Sequence, residues 1–221
     1  MPPEPFLLTP EHEAYPHRLR DSTDGRGAPQ LWCLGPPRLL ANDLLGLFCS
    51  TRCPGDVVLR AYEAARALRD AGIPVIGGFH TPMEQECLEL LLRGTQPVVW
   101  CPARGLPQPR RLPKPRRDAL AEGRLLILSP FAAKARRMTA DRAERRNELV
   151  AQIARHLLFL HAPPGTRTDA LRQGALARGK PVFLGAEVRE LLSPNRFWTD
   201  LGIDSSAEKI DEARGDTLSR K

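Results

Sequence analysis

The chain has 221 residues, of which 42% are hydrophobic and 27% are charged, which is enough for one sizeable folded domain with short extensions. Its net charge of +7 favours an anionic partner but does not specify a fold. The N-terminus lacks a basic region followed by an apolar stretch, and no apolar run approaches the roughly 18 residues of a membrane helix. We therefore expect a cytoplasmic protein without a membrane partner.

The five cysteines form no CxxC pair, and their number is odd. We interpret them as reduced and mostly buried thiols. Cys49 and Cys53 could ligate a metal, but no histidine and no second cysteine pair stands at zinc spacing. We expect no metal site and no cofactor.

Residues 1–29 are polar and rich in proline and glycine, which predicts an extended N-terminal arm with a turn of helix near Glu11–Leu19. Apolar runs then predict strands at Gln30–Leu34, Leu44–Cys49, Ile73–Ile76, Gln96–Cys101, Leu125–Leu128, His156–His161 and Pro181–Leu184. Helical patterns lie between them, at Asp56–Ala71, from Thr81 to about Arg93, just before Leu125, at Ala140–Arg155 and at Thr168–Arg178.

This alternation of strands and helices predicts an α/β fold, with a doubly wound, mainly parallel sheet in a single domain. We place that domain at residues 30–192. Residues 193–221 are polar and predict a C-terminal tail outside the core.

Three turns that join a strand to a helix carry the candidate site: Cys49–Gly55, Gly77–Glu84 and Ala162–Asp169. The N–H groups at a helix N-terminus point at an anion, so such turns can hold phosphate. The carboxyl ends of parallel strands meet at one edge of the sheet, so the three turns predict one shared crevice. Each turn can also be an ordinary connection without a ligand.

In the first turn, Ser50 and Thr51 offer hydroxyl groups and Arg52 offers a charge. In the second, Gly77 and Gly78 permit a close approach of the backbone to a ligand. Neither turn is a GxGxxG fingerprint, so the sequence does not favour a standard dinucleotide enzyme.

Phe79 and His80 follow the glycine pair, and we expect them at the rim of the crevice, where a ring can stack on a base. His80 could instead be a general acid, or have no role. Glu84 completes a capping box with Thr81. We expect its carboxylate to face the crevice as well.

The third turn offers Gly165, Thr166 and Thr168 as anion-binding residues. Either threonine is also a good N-cap, which would explain it without a ligand.

Two basic segments complete the candidate site. The run 142–147 is highly charged, and although a solvated helix face is the default for such a run, we expect Arg146 and Asn147 to reach the crevice. The loop 102–117 carries five prolines and six basic residues. It is either a proline-stiffened flexible connection or a rim that follows phosphates.

Six segments occur in the order of the motifs of a known family: Tyr15–Leu19, Leu31–Gly35, Phe48–Arg52, Val75–Glu84, Arg145–Val150 and His161–Leu184. The chain therefore resembles the DNA-processing proteins DprA, also called Smf. That family is a branch of the Rossmann-like group, which also includes the lysine-decarboxylase-like, cytokinin-activating (LOG) proteins.

The resemblance implies a Rossmann-like domain that binds single-stranded DNA in a positively charged pocket, forms a homodimer and helps to load a recombinase during DNA uptake. It maps the pocket to Ser50, Arg52, the glycines 77 and 78, and Arg146–Asn147. The chain departs from the family at Cys49, where the family has glycine. We also expect no C-terminal winged-helix module.

We favour a nucleic-acid binder with no catalytic residue over an enzyme. Two alternatives stay open. One is a nucleotide sensor or nucleotide-processing enzyme of the LOG-like group, and the other is an interaction protein whose crevice is vestigial.

Overall fold

The computed structural model of the chain describes residues 4–20, 27–188 and 192. The strands in these residues are β1 (Phe6–Leu8), β2 (Leu31–Leu34), β3 (Leu45–Cys49), β4 (Val75–Gly77), β5 (Val98–Trp100), β6 (Leu125–Ser129), β7 (His156–His161) and β8 (Val182–Leu184). The helices are α1 (His17–Arg20), α2 (Gly55–Asp70), α3 (Pro82–Leu91), α4 (Lys114–Ala121), α5 (Ala140–Ile153) and α6 (Arg167–Ala177). Three 3-10 turns lie at Pro37–Ala41, Pro109–Arg111 and Gly185–Glu187.

The strands form one sheet in the order β1-β2-β6-β5-β4-β3-β7-β8. The six strands from β6 to β8 are parallel, and β2 runs antiparallel to both of its neighbours. The predicted doubly wound, mainly parallel α/β sheet is confirmed. The buried strands are continuous apolar runs because helices cover both faces of the sheet.

Alternate residues of each strand enter two hydrophobic cores, one on each face of the sheet. In β7, Leu158 and Leu160 pack with α2, α3 and α4, whereas Leu157 and Phe159 pack with α5 and α6. On the second face the ring of Phe159 stacks on that of Phe48 at 5.1 Å between centroids. The two cores hold the parallel strands in register and thereby fix the edge where the strands end.

Most predicted elements are confirmed, with ends that shift by one to three residues. The strand His156–His161 has the predicted bounds, and Asp56–Ala71 becomes Gly55–Asp70. The loop 102–117 differs more from its prediction, because α4 already begins at Lys114. Proline is favoured in the first helical turn, where its missing N–H costs nothing, so Pro115 starts this helix rather than breaking it.

The predicted N-terminal arm is wrong for the part of residues 1–29 that the structure describes. Phe6–Leu8 pairs antiparallel with β2 and becomes the edge strand of the sheet. The side chains of Leu8, Tyr15 and Leu19 are buried in the second core, and the Tyr15 hydroxyl donates a hydrogen bond to the Pro29 carbonyl at 2.7 Å. Burial of these few large side chains outweighs the polar composition of the segment. The predicted tail, residues 193–221, lies outside the described residues.

Across the part of the chain that the structure describes, no helix combines the length and the apolar character needed to cross a bilayer.

Candidate functional site

The strand order reverses between β3 and β7. The chain passes from β3 outward through β4 and β5 to β6, and α5 then carries it back to the far side of β3. Ligands bind at such a reversal, beyond the carboxyl ends of the strands. A cavity of about 340 Å³ lies there, and it is lined by Thr51, His80, Glu84, Arg146, Asn147 and Thr168 together with nine other residues. We call this cavity the crevice. All three predicted turns contribute to it.

The first turn is tied to the third through the strands that precede them. The Ser50 N–H donates to the His161 carbonyl at 2.9 Å, so β3 and β7 end side by side. Thr51 lines the crevice, whereas Arg52 is exposed and does not line it. The Ser50 hydroxyl is buried and has no hydrogen-bond partner among the described residues. The first turn thus offers the crevice a threonine rather than the predicted arginine.

Two thiols lie at the base of the first turn. The sulfurs of Cys49 and Cys53 are 3.3 Å apart, and Cys49 lines the crevice. Burial raises the pKa of the Cys49 thiol, which therefore stays neutral at physiological pH and does not repel an anion. All five cysteines are free, and four are buried, as predicted.

Glu84 joins the first turn to the second. Its Oε1 accepts the Cys49 N–H at 3.0 Å, and its Oε2 accepts the N–H groups of His80 at 2.9 Å and Thr81 at 3.3 Å. The predicted capping box with Thr81 is present. Glu84 lines the crevice as expected, but three backbone N–H groups already occupy its carboxylate. Its role in this geometry is to position the two turns.

The expected exposed position of Phe79 is not what the structure has, because its side chain is only 4% exposed and belongs to the first core. Phe79 also lines a smaller cavity next to the crevice, and its stacking on a base stays a prediction. Its ring covers Gly77, where an added Cβ would lie 3.0 Å from the Phe79 Cζ. The backbone at Phe79 has φ +45°, a left-handed conformation that is rare for a bulky residue. This reversal buries the ring and leaves His80 exposed at the rim.

Arg146 reaches the crevice from α5, as predicted, and is only 2% exposed. One guanidinium nitrogen, Nη1, donates to the Cys101 carbonyl at 2.9 Å, while Nε is buried without a hydrogen-bond partner. Burial lowers the pKa of Arg146, and the negative charge of Glu84 opposes this shift. No carboxylate of the described residues forms a direct ion pair with Arg146, so its guanidinium stays free to pair with an anion at the crevice wall.

Gly78 makes room for this guanidinium. A Cβ built on Gly78 would lie 1.9 Å from Arg146 Nη1 and 2.1 Å from Cζ, far inside van der Waals contact. The predicted close approach at Gly78 is therefore to a protein side chain rather than directly to a ligand. Gly77 lies beneath Phe79 and does not line the crevice.

We expect Gly78→Ala to displace Arg146 and to weaken binding of anions in the crevice about as much as removal of the arginine charge. Gly77→Ala is the matched control, since its Cβ meets only the Phe79 ring, at 3.0 Å. The measurement is binding of single-stranded oligonucleotide, with the melting temperature recorded for both variants. Equal binding by Gly78→Ala and wild type would show that the position of the guanidinium does not matter.

The third turn uses part of its binding capacity internally. Thr166 is the N-cap of α6, and its Oγ1 accepts the Asp169 N–H at 3.1 Å. The Gly165 N–H donates to the Asp169 carboxylate at 3.4 Å. Neither Gly165 nor Thr166 lines the crevice, whereas Arg167 and Thr168 do. The first turn of α6 therefore faces the crevice, whereas its N-cap residue, Thr166, lies outside the lining.

Two further cavities continue from the crevice along the same edge of the sheet. One of about 230 Å³ shares His80, Ala103, Met138 and Arg146 with the crevice. The other, of about 590 Å³, shares Trp100, Arg104 and Arg116 with that middle cavity. Together they form a trough over the ends of β3, β4, β5 and β6.

Sequence reasoning missed Trp100, Met138 and Arg167 as lining residues. The sequence contained signals for two of these residues. Trp100 ends a strand at the edge of the sheet where the three turns lie, and Arg167 lies inside the third turn. The Trp100 indole N–H donates to the Gly78 carbonyl at 3.2 Å and so holds the glycine turn in place. Nothing in the sequence near Met138 pointed to the trough.

The lining of the trough is strongly basic. Its charged residues are one carboxylate, Glu84, and the arginines Arg104, Arg111, Arg116, Arg136, Arg146 and Arg167. Arg116 alone among these arginines is ion-paired within the described residues, with Glu89 at 2.9 Å. Low-dielectric walls focus the field of such charges and attract anions.

A separate basic cavity of about 750 Å³ lies at the opposite edge of the sheet, where β7 and β8 begin. Its basic residues include Arg18, Arg155, Arg178 and Lys180. The Lys180 ammonium caps the end of α5 by donating to the Ala154 carbonyl at 2.5 Å, and burial lowers the pKa of Lys180 to about 8. These basic residues lie outside the trough, so substitutions of them can serve as controls for substitutions in the trough.

Within residues 4–20, 27–188 and 192, no three His, Cys, Asp or Glu side chains cluster as metal ligands would. The trough presents cationic and hydroxyl groups instead, which suit phosphate oxygens.

Fold and site together define a Rossmann-like protein with a basic crevice at its topological switch point. The family model of DNA recombination-mediator protein A matches residues 6–197, most of the chain. The protein belongs to this family, the one that the sequence motifs resembled.

Two solved structures of the family share the fold. DNA processing protein A from Streptococcus pneumoniae matches with a TM-score of 0.65 at 16% identity, covering 86% of this chain and 69% of its own. The protein from Helicobacter pylori, described with a single-stranded DNA binding mode, matches with a TM-score of 0.62 at 18% identity, covering 86% and 87%. No curated protein matches the chain in sequence.

Proposed function

We propose that the protein binds the backbone of single-stranded DNA in the crevice and acts without catalysis in DNA uptake or recombination. Membership of the DNA recombination-mediator protein A family supports this proposal, as does the DNA-binding relative from Helicobacter pylori. The observation that carries it is Arg146, a buried cation without a carboxylate partner among the described residues, which lines both the crevice and the middle cavity.

The groups around Arg146 suit a phosphodiester. A guanidinium can donate two parallel hydrogen bonds to phosphate oxygens, and its planar geometry favours phosphate over a spherical anion. The hydroxyl-bearing residues Thr51 and Thr168 stand on two other walls of the crevice. His80 is exposed at the junction of the crevice and the middle cavity, and we propose it as a ring that stacks on a base.

Of the other predicted ligand residues, Asn147 lines the crevice and stays in the proposal. Ser50, Arg52, Gly165 and Thr166 lie outside the lining of the crevice.

The small volume of the crevice, about 340 Å³, favours single strands over duplex. Duplex DNA carries its phosphates on a stiff rod that bends only over long distances, and a cavity of about 340 Å³ cannot admit it. A single strand is flexible enough to direct individual phosphates into the crevice while its bases remain free to stack on side chains.

The test is a titration of fluorescent oligo-dT at low and high salt. If about six phosphates are neutralised, log K falls with log salt with a slope of about −4, because each phosphate contributes roughly −0.7 for single strands. A rise from about 50 to 200 mM salt then weakens binding roughly 300-fold. Affinity that is independent of salt, or equal affinity for duplex and single strand, would contradict the proposal.

A small-nucleotide ligand remains the second candidate, because the volume of the crevice also falls within the range of small-molecule sites. Mononucleotides and cyclic nucleotides that raise the melting temperature and compete with oligo-dT at stoichiometric concentration would favour this alternative. Competition only at far higher concentration supports the DNA backbone.

We also propose, from family membership, that the protein forms a homodimer and contacts a recombinase. Sedimentation equilibrium tests the dimer, and assembly of a bacterial recombinase on protein-coated single strands, with and without this protein, tests the contact. A monomer at all concentrations and an unchanged assembly rate would refute the two parts separately.

A further inference from the structure

The largest cavity of the trough lies away from the switch point. It has a volume of about 590 Å³ and is bounded by the loop 102–117 and the segment after β6. Four arginines line it: Arg104, Arg111, Arg116 and Arg136. We call it the outer pocket. The outer pocket and the crevice share no lining residue, and the middle cavity lies between them.

The outer pocket is held together by hydrogen bonds between its two bounding segments. The Ser129 hydroxyl donates to the Arg104 carbonyl at 2.7 Å, and the Gly105 N–H donates to the Ala135 carbonyl at 2.9 Å. Gly105 packs so closely that an added Cβ would lie 2.7 Å from the Ala132 carbonyl oxygen. The loop is therefore a fixed wall, and the interpretation of 102–117 as a flexible connection does not hold for this part.

Its arginines are poorly satisfied by protein groups. Arg104, Arg111 and Arg136 are exposed and form no ion pair within the described residues. Arg116 lies 4.8 Å above the Trp100 ring and bonds Glu89, yet its buried Nε has no hydrogen-bond partner among the described residues. Four cations around one concavity repel one another, and an anion of several charges would remove that repulsion.

We propose that the outer pocket is a second phosphate-binding subsite, which takes the phosphates of a single strand beyond those held in the crevice. This inference rests on the proposed function. Arg146, Arg104 and Arg116 mark the path, because Arg146 is shared by the crevice and the middle cavity, and the other two by the middle cavity and the outer pocket. The strand runs along the sheet edge from the switch point toward β6.

The polymer fits the trough better than a free anion does. An inorganic phosphate would occupy one cavity and leave the cations of the others unneutralised. A continuous backbone places a charge at each cavity in turn, and linked contacts gain from the high effective concentration of the second group once the first is bound. The subsite therefore sets a minimum strand length for full affinity.

The test compares two double variants that remove the same charge from the same two segments. Arg111→Ala/Arg136→Ala removes two arginines of the outer pocket, and Arg110→Ala/Arg137→Ala removes their chain neighbours, which do not line it. All four residues are exposed, so we expect both proteins to fold, with melting temperatures that confirm it. Each is titrated with oligo-dT of about 4 and of about 16 nucleotides.

We expect Arg111→Ala/Arg136→Ala to bind the longer strand roughly 10- to 30-fold more weakly than wild type, with a salt slope reduced by about 1.4. The same variant binds the shorter strand like wild type, and the neighbouring double variant changes either affinity less than about threefold.

Equal losses for the two double variants, or no loss for either, would overturn the subsite while leaving DNA binding in the crevice intact. If wild type binds neither strand, the proposed function fails and the subsite fails with it. Wild-type affinity that does not rise from the shorter to the longer strand would also overturn the subsite.

Discussion

Replacing Arg146 by methionine should weaken binding of single-stranded DNA by about 10- to 150-fold without unfolding the protein, which corresponds to the loss of one hydrogen bond from a charged donor. Hydrogen bonds from a charged donor contribute about 1.5–3 kcal/mol each, and this guanidinium is a buried cation at the wall of the crevice. Methionine has a similar length and no charge, so it fills the space between α5 and Gly78. Fluorescence anisotropy with labelled oligo-dT measures the loss.

The same substitution should leave the free energy of unfolding unchanged or raise it. Burial of the guanidinium costs desolvation energy, which no carboxylate ion pair within the described residues offsets. Among the described residues, the hydrogen bond that the substitution removes is the one to the Cys101 carbonyl. Wild-type affinity for single-stranded DNA in the variant would mean that Arg146 does not bind the ligand. A melting temperature that falls together with the affinity would mean that this arginine stabilises the fold.

Arg145→Met is the matched control. Arg145 precedes Arg146 on α5, carries the same charge, is exposed and does not line the trough. We expect a loss of affinity of less than about threefold from it, since an exposed charge is screened by solvent and salt. A loss similar to that of Arg146→Met would attribute binding to the general charge of the helix.

Glu84→Gln should destabilise the protein by about 2–3 kcal/mol, and so lower the melting temperature by roughly 5–10 °C for a chain of this size. The carboxylate accepts the N–H groups of Cys49, His80 and Thr81. A glutamine offers one carbonyl oxygen and turns an NH2 group toward the remaining donors, which leaves at least one buried N–H without an acceptor. Denaturant unfolding measures the change.

The control for Glu84→Gln is Glu86→Gln on the same helix. Glu86 is exposed, and its carboxylate accepts the Tyr62 hydroxyl at 3.1 Å. Replacing this carboxylate by an amide should therefore lower the free energy of unfolding by less than about 0.5 kcal/mol. Equal stabilities of the two variants would show that Glu84 does not tie the first turn to the second. DNA binding by Glu84→Gln, measured below its melting temperature, then reports how far the crevice depends on that tie.

Local patterns in the sequence were sufficient to predict most of the strands and helices. The apolar run of β7 and the helical spacing of apolar residues in α2 predicted these elements nearly to the residue, because strands buried on both faces and amphipathic helices leave strong periodic signals. The edge strand β1 left none. Three residues, Phe6–Leu8, pair with β2 inside a proline-rich polar segment, and only contacts distant in the chain reveal them.

The candidate site was also predicted only in part from the sequence. The sequence placed the three turns at the carboxyl ends of parallel strands, because the order of strands and helices leaves few other topologies. It identified Arg146 and Glu84 but assigned Phe79 to the rim. A buried ring and an exposed ring have the same neighbours in sequence, and the left-handed φ of Phe79, which turns the ring inward, has no reliable sequence signal for a residue other than glycine.

The amino-acid sequence by itself therefore determined the fold class, the edge of the sheet that carries the candidate site, and the excess of positive charge. The tertiary structure decided which charges meet. Arg146 and Arg116 are 30 residues apart in the chain, yet both line the middle cavity, whereas Arg52, inside a predicted turn, faces solvent. The composition gives the net charge. Whether the arginines meet in one trough depends on the order of the strands and on the rotation of each helix about its axis, and long-range packing fixes both.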